Sequence, residues 1–294
     1  MTGEIFSIER FSIHDGPGVR TSIFFKGCSL HCIWCHNPES HEKGHVLQYL
    51  ERECVGCFAC VSACPVNAHS FIKGRHLIER EKCTGCGMCS MACPGDALKI
   101  WGKTYRCEEI MQVILKDAPY YGSDGGVTLS GGEPLLQPEF AAELLRHCKE
   151  LGFGTCVETA GCVSQEAFYK VLEDTDLFLY DYKLDTQEQM NRYTGGSLKK
   201  VLGNLQLIME HKKRVVLRCP IIPGINDTQE HALAIAALAD NFSIEDIEIM
   251  PYHGYGEDKW RQVGKKYALS GLPNMSKETA VLYREKINAY RKKR

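Results

Sequence analysis

The sequence predicts an α/β fold, an open and partial (β/α)6 barrel into which a small cysteine-rich domain is inserted. Short apolar runs typical of buried strands alternate with amphipathic helical segments. Such alternation indicates a parallel sheet with helices packed on its outside. The cysteines are concentrated near the N-terminus and in one stretch of low periodicity, which suggests that this stretch is a separate unit.

Six apolar runs account for the predicted strands of the barrel: Thr21–Phe25, Gly126–Leu129, Gly154–Glu158, Leu177–Asp181, Val215–Cys219 and Ile247–Met250. The segments between and after them have helical periodicity, and they are Glu108–Lys116, Pro138–Leu151, Gln165–Leu172, Lys200–His211, Thr228–Ala239 and Lys277 to the end. Six strands suit a partial, TIM-like barrel better than a closed eight-stranded one. We therefore expect a barrel with a lateral opening.

Residues 48–104 are predicted to form the inserted domain, and residues 1–47 and 105–294 to form the barrel. Eight of the sixteen cysteines lie in this insert. Too little apolar sequence lies between them to build a core, so bound metal must supply the folding energy. A disulfide framework is disfavoured because the chain is large, has no export signal and groups its cysteines at gaps of two and three residues.

Charge and hydropathy exclude several classes of protein. The chain has 35 basic and 37 acidic residues and is close to neutral, whereas a non-specific nucleic-acid binder usually needs a basic stripe. No apolar run approaches the roughly 18–20 residues that span a bilayer. The first ten residues lack the apolar segment of a signal peptide. We therefore expect a cytoplasmic protein with no nucleic-acid and no membrane partner.

Three cysteines in the pattern C-x3-C-x2-C follow directly on the first predicted strand. Cys28, Cys32 and Cys35 can hold three irons of a [4Fe–4S] cluster and leave the fourth iron without a protein thiolate. A zinc site would prefer four ligands at paired short gaps. No fourth cysteine lies near enough in the sequence to complete either a zinc site or a ferredoxin motif. The pattern therefore indicates a cluster with one iron open to a substrate.

The insert contains an internal repeat with an offset of 29 residues, the distance from Cys54 to Cys83. Both copies read C-x2-C-x2-C-x3-C-P, the bacterial ferredoxin pattern in which the fourth cysteine ligates the other cluster. The pattern predicts two further [4Fe–4S] clusters, one on Cys54, Cys57, Cys60 and Cys93 and the other on Cys83, Cys86, Cys89 and Cys64. Each would be saturated by four thiolates, so we expect both to transfer electrons.

Two motifs resemble those of the radical S-adenosylmethionine superfamily. One is the run from Cys28 to Cys35, in which Trp34 occupies the position of the family's aromatic residue. The other is Gly131-Gly132-Glu133, which is similar to the GGE motif that holds the methionyl amino group. The resemblance implies that the open iron chelates S-adenosylmethionine and that one electron cleaves it to methionine and a 5′-deoxyadenosyl radical. Cys28, Cys32 and Cys35 would then be catalytic.

Further stretches resemble the glycyl radical enzyme activating enzymes, in the branch with a two-cluster, bacterial-ferredoxin-like insert. In chain order they are Ser12–Thr21, Gly27–Cys28, Cys35–Glu39, Ser130–Pro134, Val157–Thr159, Asp181–Lys183 and Pro251–His253. The resemblance implies an oxidoreductase that abstracts a hydrogen from the α-carbon of a glycine in a partner enzyme. It also implies reduced flavodoxin or ferredoxin as the electron donor and an anaerobic bacterium as the source, and it leaves association with a microcompartment open.

The resemblance carries several roles over to single residues. Glu158, Thr159 and Asp181 match positions near the carboxylate of S-adenosylmethionine and a monovalent cation, although Glu158 stands where the family has Asp. Polar contacts to the nucleoside and methionine are expected of Lys183, Arg218 and His253. Asp15 resembles the position that meets the backbone of the partner's glycine loop.

Two other functions stay open at this point. One is a radical S-adenosylmethionine enzyme that acts on a small molecule or peptide with auxiliary clusters, although the auxiliary cysteines of such enzymes are often C-terminal. The other is an electron-carrier polyferredoxin, which would leave the barrel unexplained. The five remaining cysteines are expected to be small core residues: Cys107, Cys148, Cys156, Cys162 and Cys219.

Overall fold

The computed structural model describes residues 1–291, and one eight-stranded sheet forms its centre. The strands are β1 (Thr2–Ser12), β2 (Arg20–Phe25), β3 (Val46–Tyr49), β4 (His69–Ile72), β5 (Arg75–Ile78), β6 (Leu98–Trp101), β7 (Lys103–Arg106), β8 (Gly126–Gly131), β9 (Gly154–Thr159), β10 (Leu177–Asp181), β11 (Arg214–Ile221) and β12 (Asp246–Pro251). The helices are α1 (Ala59–Ala63), α2 (Met88–Met91), α3 (Cys107–Asp117), α4 (Pro138–Glu150), α5 (Gln165–Val171), α6 (Gln187–Tyr193), α7 (Leu198–Glu210), α8 (Gln229–Asn241), α9 (Glu257–Gln262) and α10 (Lys277–Arg291).

The central sheet has the strand order β12-β11-β10-β9-β8-β2-β1-β7. Its six strands from β12 to β2 run parallel, which confirms the predicted α/β partial barrel. Helices α3, α4, α5, α7, α8 and α10 correspond to the six predicted helical segments, and the predicted continuation of α10 over residues 292–294 lies outside the described residues. The five non-ligand cysteines are all buried, as expected.

Two strands at one edge of the sheet, β1 and β7, were not predicted from the sequence. β1 pairs antiparallel with β2, and β7 pairs antiparallel with β1. β1 has no continuous apolar run, and its register with β2 shifts near Phe11, whose φ of 61° is left-handed. The loop between β1 and β2 contains the segment Asp15-Gly16-Pro17-Gly18. Its base is held by the buried Arg20, which donates to the carbonyls of Val127 and Gly154.

The cysteine-rich stretch forms two small antiparallel sheets, β3 with β6 and β4 with β5. The repeat offset of 29 residues relates β3 to β5 and β4 to β6. Only Leu47, Cys60, Cys89 and Leu98 are buried in its apolar cluster. So small a core agrees with a fold that depends on bound metal. No helix within residues 1–291 is long and apolar enough to cross a membrane.

Candidate functional site

One large cavity lies at the carboxyl ends of the parallel strands, where barrels place their chemistry. Its volume is about 270 Å³. The structure brings most of the predicted site residues to its wall, namely Cys28, Cys32, Trp34, Cys35, Gly131, Gly132, Glu158, Thr159, Asp181, Lys183 and His253. Glu133, Arg218 and Asp15 do not line it.

The three cysteines of the first run face this cavity from the loop that follows β2. Cys32 is buried, while Cys28 and Cys35 are half-buried. The backbone N–H groups of Leu30 and Asn37 donate to the sulfurs of Cys28 and Cys35 at 3.4 and 3.3 Å. Burial raises the pKa of all three thiols, that of Cys35 to about 12. Three sulfurs gathered on one loop at the cavity wall fit a bound iron–sulfur cluster, in which they would be thiolates.

Helix α9 supports the cysteine loop from behind. The indole N–H of Trp260 donates to the carbonyl of Cys35 at 2.8 Å. Lys259 pairs with Glu39 at 2.7 Å, and the Glu39 carboxylate is almost wholly buried. This support was not predicted, because α9 is only six residues long and contacts the loop from more than 200 residues away in the sequence.

The Gly131-Gly132 turn is locked against the cysteine loop by backbone contacts. The N–H of Gly132 donates to the carbonyl of Phe25 at 2.9 Å, and that of Glu133 donates to the carbonyl of Gly27 at 2.8 Å. A Cβ at Gly132 would lie 2.2 Å from the Gly27 carbonyl oxygen, and Gly131 has a φ of +106°. Both positions therefore require glycine. Through these backbone contacts the turn fixes the position of the cysteine loop.

The carboxylate of Glu133 lies behind the cavity wall rather than in it. The Thr159 hydroxyl is 2.8 and 2.9 Å from its two oxygens, and the N–H of Ala160 donates at 3.1 Å. Burial raises the pKa of Glu133 to about 7, and these hydrogen bonds partly oppose the shift. Thr159 and Ala160 lie between this carboxylate and the cavity, so Glu133 stabilises the wall from the side that faces away from the cavity.

A lysine–aspartate pair faces the thiols across the cavity. The ammonium of Lys183 lies 2.9 Å from Asp181 Oδ2. Burial opposes its charge, but Asp181 and the sulfur of Cys32 outweigh burial and raise the pKa of Lys183. Lys183 is therefore a cation in the wall of the cavity that Cys32 also lines. It can neutralise a carboxylate or an anionic cluster in the same cavity.

His253 borders the cavity at the end of β12. Its ring stacks on His36 with 4.0 Å between centroids, and the ring nitrogen of His36 contacts the carbonyl of His253 at 2.9 Å. Burial lowers the pKa of His253 and brings that of His36 to about 4. The Nδ1 atom of His253 is buried and has no hydrogen-bond partner within residues 1–291. A ligand in the cavity could use this neutral nitrogen.

Arg218 lies below the cavity and all its donor nitrogens are occupied. It contacts Glu158 at 2.7 Å and Glu248 at 2.8 Å, and it donates to the carbonyl of His14. The second oxygen of Glu158 accepts from the hydroxyl of Ser130. Burial raises the pKa of Glu158, while Arg218 opposes the shift. The Glu158 side chain, although at the wall, is thus already committed to protein partners.

Asp15 lies in the β1–β2 hairpin at the base of the barrel. Its Oδ2 accepts from the hydroxyls of Ser12 and Ser22, both at 2.6 Å. Its carbonyl accepts from Thr128 at 2.6 Å. The carboxylate therefore fixes the hairpin in this structure and is not brought to the large cavity.

Two smaller cavities occupy the insert. One, the Cys54 cavity, is lined by Cys54, Cys57, Cys60 and Cys93. The other, the Cys83 cavity, is lined by Cys64, Cys83, Cys86 and Cys89. Each cavity thus gathers the four cysteines of one crossed set from the sequence analysis. Four sulfurs around one hollow fit a saturated cubane cluster.

Comparison with known proteins supports the same interpretation. Residues 80–236 match the Radical SAM superfamily, and residues 46–94 match the 4Fe-4S dicluster domain. A choline trimethylamine-lyase activating enzyme from Oleidesulfovibrio alaskensis is 40% identical over 92% of this chain and 90% of its own length. An indoleacetate decarboxylase activating enzyme from Tractidigestivibacter scatoligenes is also 40% identical, over 92% and 89%. A (2S)-3-sulfopropanediol dehydratase activating enzyme from Klebsiella oxytoca is 40% identical over 92% and 88%.

The chain belongs to the glycyl radical enzyme activating enzymes. These relatives decide against the small-molecule enzyme and the polyferredoxin, because their similarity to this activating enzyme spans both the barrel and the insert. Several wall residues of this activating enzyme were not predicted from the sequence: Phe24, Pro220, Ile222 and Met250. Their position at or just after strand ends was the available signal.

Proposed function

We propose that this chain installs a glycyl radical on a partner enzyme by reductive cleavage of S-adenosylmethionine in the large cavity. The observation that carries the proposal is the convergence on one cavity of three free cysteines, the Gly131-Gly132 turn, and the Asp181–Lys183 pair. The three cysteines suit a cluster with one open iron. The turn and the Asp181–Lys183 pair suit the amino and carboxylate groups of an amino acid.

Cys28, Cys32 and Cys35 would hold the active-site [4Fe–4S] cluster as three thiolates. When bound, such a cluster supplies the electron for cleavage and one iron open to the substrate. The N–H groups of Leu30 and Asn37 would stabilise the thiolate charge. The charge of Lys183 offsets the negative charge that builds up beside Cys32.

The remaining wall residues would orient S-adenosylmethionine. The turn at Gly131-Gly132 offers backbone groups to the methionyl amino group, and Glu133 supplies negative charge from behind Thr159. Lys183 suits the substrate carboxylate, because it is the cation of this wall. Trp34 and His253 border the same cavity and are proposed to contact the nucleoside.

The monovalent cation expected from the resemblance fits poorly at Glu158. Its two oxygens are occupied by Arg218 and by Ser130. Asp181 Oδ2 is paired with Lys183. These contacts leave no pair of free carboxylate oxygens at that point of the wall, so the proposed reaction includes no cation. Arg218 is accordingly proposed to position Glu158 and the hairpin rather than to touch the substrate.

The proposed reaction balances with one electron. S-adenosylmethionine takes up the electron and its sulfonium–carbon bond breaks, which gives methionine and a 5′-deoxyadenosyl radical. This radical removes one hydrogen atom from the α-carbon of the partner's glycine, which leaves 5′-deoxyadenosine and a glycyl radical. The partial barrel would admit the glycine loop laterally, and Asp15 would meet that loop only after exchanging its bonds to Ser12 and Ser22.

The insert, proposed to span residues 48–104 between barrel segments 1–47 and 105–294, would bring the total to three [4Fe–4S] clusters. Its two saturated cysteine sets suit electron transfer from a donor such as reduced flavodoxin or ferredoxin. Arg80 joins the insert to the barrel by donating to the carbonyls of Leu47 and Gln262. The cytoplasmic location expected from the sequence stays a prediction.

Three relatives with partners of different chemistry are equally identical to this chain, so the partner is best found by direct assay. The cluster-loaded protein would be reduced anaerobically and mixed with S-adenosylmethionine and, in turn, with the partner enzyme of each relative. We expect 5′-deoxyadenosine in every mixture and a glycyl doublet in the electron paramagnetic resonance spectrum with a cognate partner. The absence of 5′-deoxyadenosine under reducing conditions would overturn the proposal.

A further inference from the structure

The two insert cavities are related by the repeat, but their linings differ at one position that carries chemistry. His76 of β5 lines the Cys54 cavity. Its counterpart at the offset of 29 residues is Leu47 of β3, which lines the Cys83 cavity. An apolar side chain in one copy is thus replaced in the other by a ring that can donate a hydrogen bond.

The His76 ring is held in one orientation next to a cysteine. Its Nε2 atom lies 3.6 Å from the sulfur of Cys60, one of the four sulfurs of the Cys54 cavity. Phe71 stacks on the ring at 4.6 Å with an interplanar angle of 4°, and Tyr49 packs edge-on at 4.7 Å. Because two aromatic side chains pack on the ring, its orientation toward Cys60 is held by packing.

The surroundings of the ring favour a proton on Nε2. That nitrogen has two neighbours, the sulfur of Cys60 and the Nδ1 atom of His69 at 2.8 Å. The other nitrogen of His76, Nδ1, is buried and has no partner within the described residues. A lone pair on Nε2 would face a thiolate and be repelled, whereas an N–H there has two acceptors.

We propose that His76 donates a hydrogen bond to the Cys60 thiolate and thereby raises the reduction potential of the cluster held in the Cys54 cavity. Hydrogen bonds to cluster sulfurs stabilise the more negative, reduced state. The inference rests on the proposed function, because it presupposes the two clusters of the insert. His76 is a positioning and tuning residue: it touches a ligand sulfur and takes no part in the radical chemistry.

Two other groups of the insert, His69 and the sulfur of Cys64, have hydrogen bonds that differ from those of His76. His69 lines the Cys83 cavity, but within residues 1–291 no hydrogen bond joins it to a cysteine sulfur there. In that cavity the sulfur of Cys64 accepts from the N–H of Ala68 at 3.2 Å, a backbone bond that side-chain variants leave in place. Only the Cys54 cluster would therefore respond to the loss of the His76 side chain.

The test is a redox titration of the fully loaded protein, monitored by electron paramagnetic resonance, together with iron and sulfide analysis. The variant is His76→Leu, which installs the residue found at position 47 of the repeat. At a fixed potential we expect the reduced-to-oxidised ratio of one auxiliary cluster to fall roughly fivefold, as for the loss of one ordinary hydrogen bond. The active-site cluster and the other auxiliary cluster should keep their potentials.

Two further variants make the result specific. His76→Gln retains an N–H donor and should restore most of the lost ratio. His69→Leu removes the competing acceptor and should not lower the ratio. Unchanged potentials in a His76→Leu protein with full iron content would overturn the proposal. Loss of the iron of one cluster in this variant would also overturn it, because His76 would then be a ligand or a residue needed for folding. A wild-type protein without two auxiliary clusters would instead contradict the proposed function itself.

Discussion

The hydroxyl of Thr159 lies 2.8 and 2.9 Å from the two carboxylate oxygens of Glu133. Glu133 follows β8 and Thr159 ends β9, so this contact ties two neighbouring strand ends together directly behind the cavity wall. Within residues 1–291 only neutral donors bond to this carboxylate. A buried carboxylate with no cation beside it agrees with the proposed role of Glu133, which is to supply negative charge from behind the wall to the amino group of a ligand.

The first prediction concerns the pH dependence of S-adenosylmethionine binding. Burial raises the pKa of Glu133 to about 7, so its charged fraction falls as pH decreases through 7. If the charged form binds the methionyl amino group, the dissociation constant should rise by up to about tenfold per pH unit below 7. Anaerobic isothermal titration of the loaded protein between pH 8 and 6 measures this slope. Glu133→Gln should weaken binding at pH 8 and flatten the profile.

Thr159→Val is the matched control for this prediction. It keeps the shape of the side chain but removes the hydroxyl that stabilises the charged Glu133, so the midpoint of the profile should move to higher pH. The stability of the ligand-free protein should depend on pH in the direction opposite to ligand binding. Because the raised pKa favours the protonated form of Glu133, the stability contribution of this group is lost as pH rises from about 4.5 through 7. Identical binding profiles in all three proteins would contradict the role given to Glu133.

The second prediction separates cluster ligands from buried core cysteines. Cys32→Ala should abolish formation of 5′-deoxyadenosine and reduce the iron content to about two-thirds, since one of three clusters is lost. Cys162 is the control, because it is as buried as Cys32. Its sulfur accepts from the N–H of Ser197 at 3.3 Å. Cys162→Ala should retain full iron and cleavage. Loss of the active-site cluster in Cys162→Ala would make it an unforeseen ligand.

The fold was largely predictable because its signals are local. Each parallel strand of the barrel is a short apolar run, and each cysteine set is defined by gaps of two or three residues. The crossing of Cys64 and Cys93 between the two sets followed from the repeat, and the two insert cavities gather the same sets. Spacing along the chain was enough in these cases because three cysteines of each set share one short loop and the repeat supplies the fourth.

The remaining features depend on contacts between distant segments. Nothing near Arg218 in the sequence indicates that Glu248, Glu158 and the carbonyl of His14 would each accept from one of its three nitrogens. The support of Cys35 by Trp260 likewise spans 225 residues. β1 was missed because its bulge at Phe11 interrupts the alternation that identifies a strand.

The third prediction tests electron delivery through the insert. Cys57 and Cys86 are equivalent in the repeat and exposed, and each lines a different insert cavity. Serine at either position should remove or convert one auxiliary cluster and leave the cluster on Cys28, Cys32 and Cys35 assembled. With reduced flavodoxin as donor, the rate of 5′-deoxyadenosine formation should fall at least tenfold. With dithionite, a small reductant that can reach the active-site cluster directly, it should fall far less. Equal rates with flavodoxin would show that the insert is not the electron path.

The fourth prediction concerns the buried ion pair of Arg218 and Glu158, which are 2.7 Å apart. Arg218→Met keeps much of the side-chain volume but leaves the Glu158 charge without its cation, so the free energy of unfolding should fall by about 3 kcal/mol at pH 7. The β1–β2 hairpin should also become more sensitive to proteolysis, because the carbonyl of His14 loses its donor. Anaerobic denaturant unfolding and limited proteolysis measure the two effects.

The sign of the pH response makes this prediction specific to charge. Burial already raises the pKa of Glu158, and removal of Arg218, which opposes that shift, should raise it further. The folded state of Arg218→Met is then favoured by protonation, so part of the lost stability should return as pH falls from 7 to 5. The double variant Arg218→Met with Glu158→Gln should recover a similar part at pH 7, since the two changes remove one interaction. Additive losses that do not respond to pH would mean that Arg218 acts through packing alone, and its role in holding Glu158 and the hairpin would be wrong.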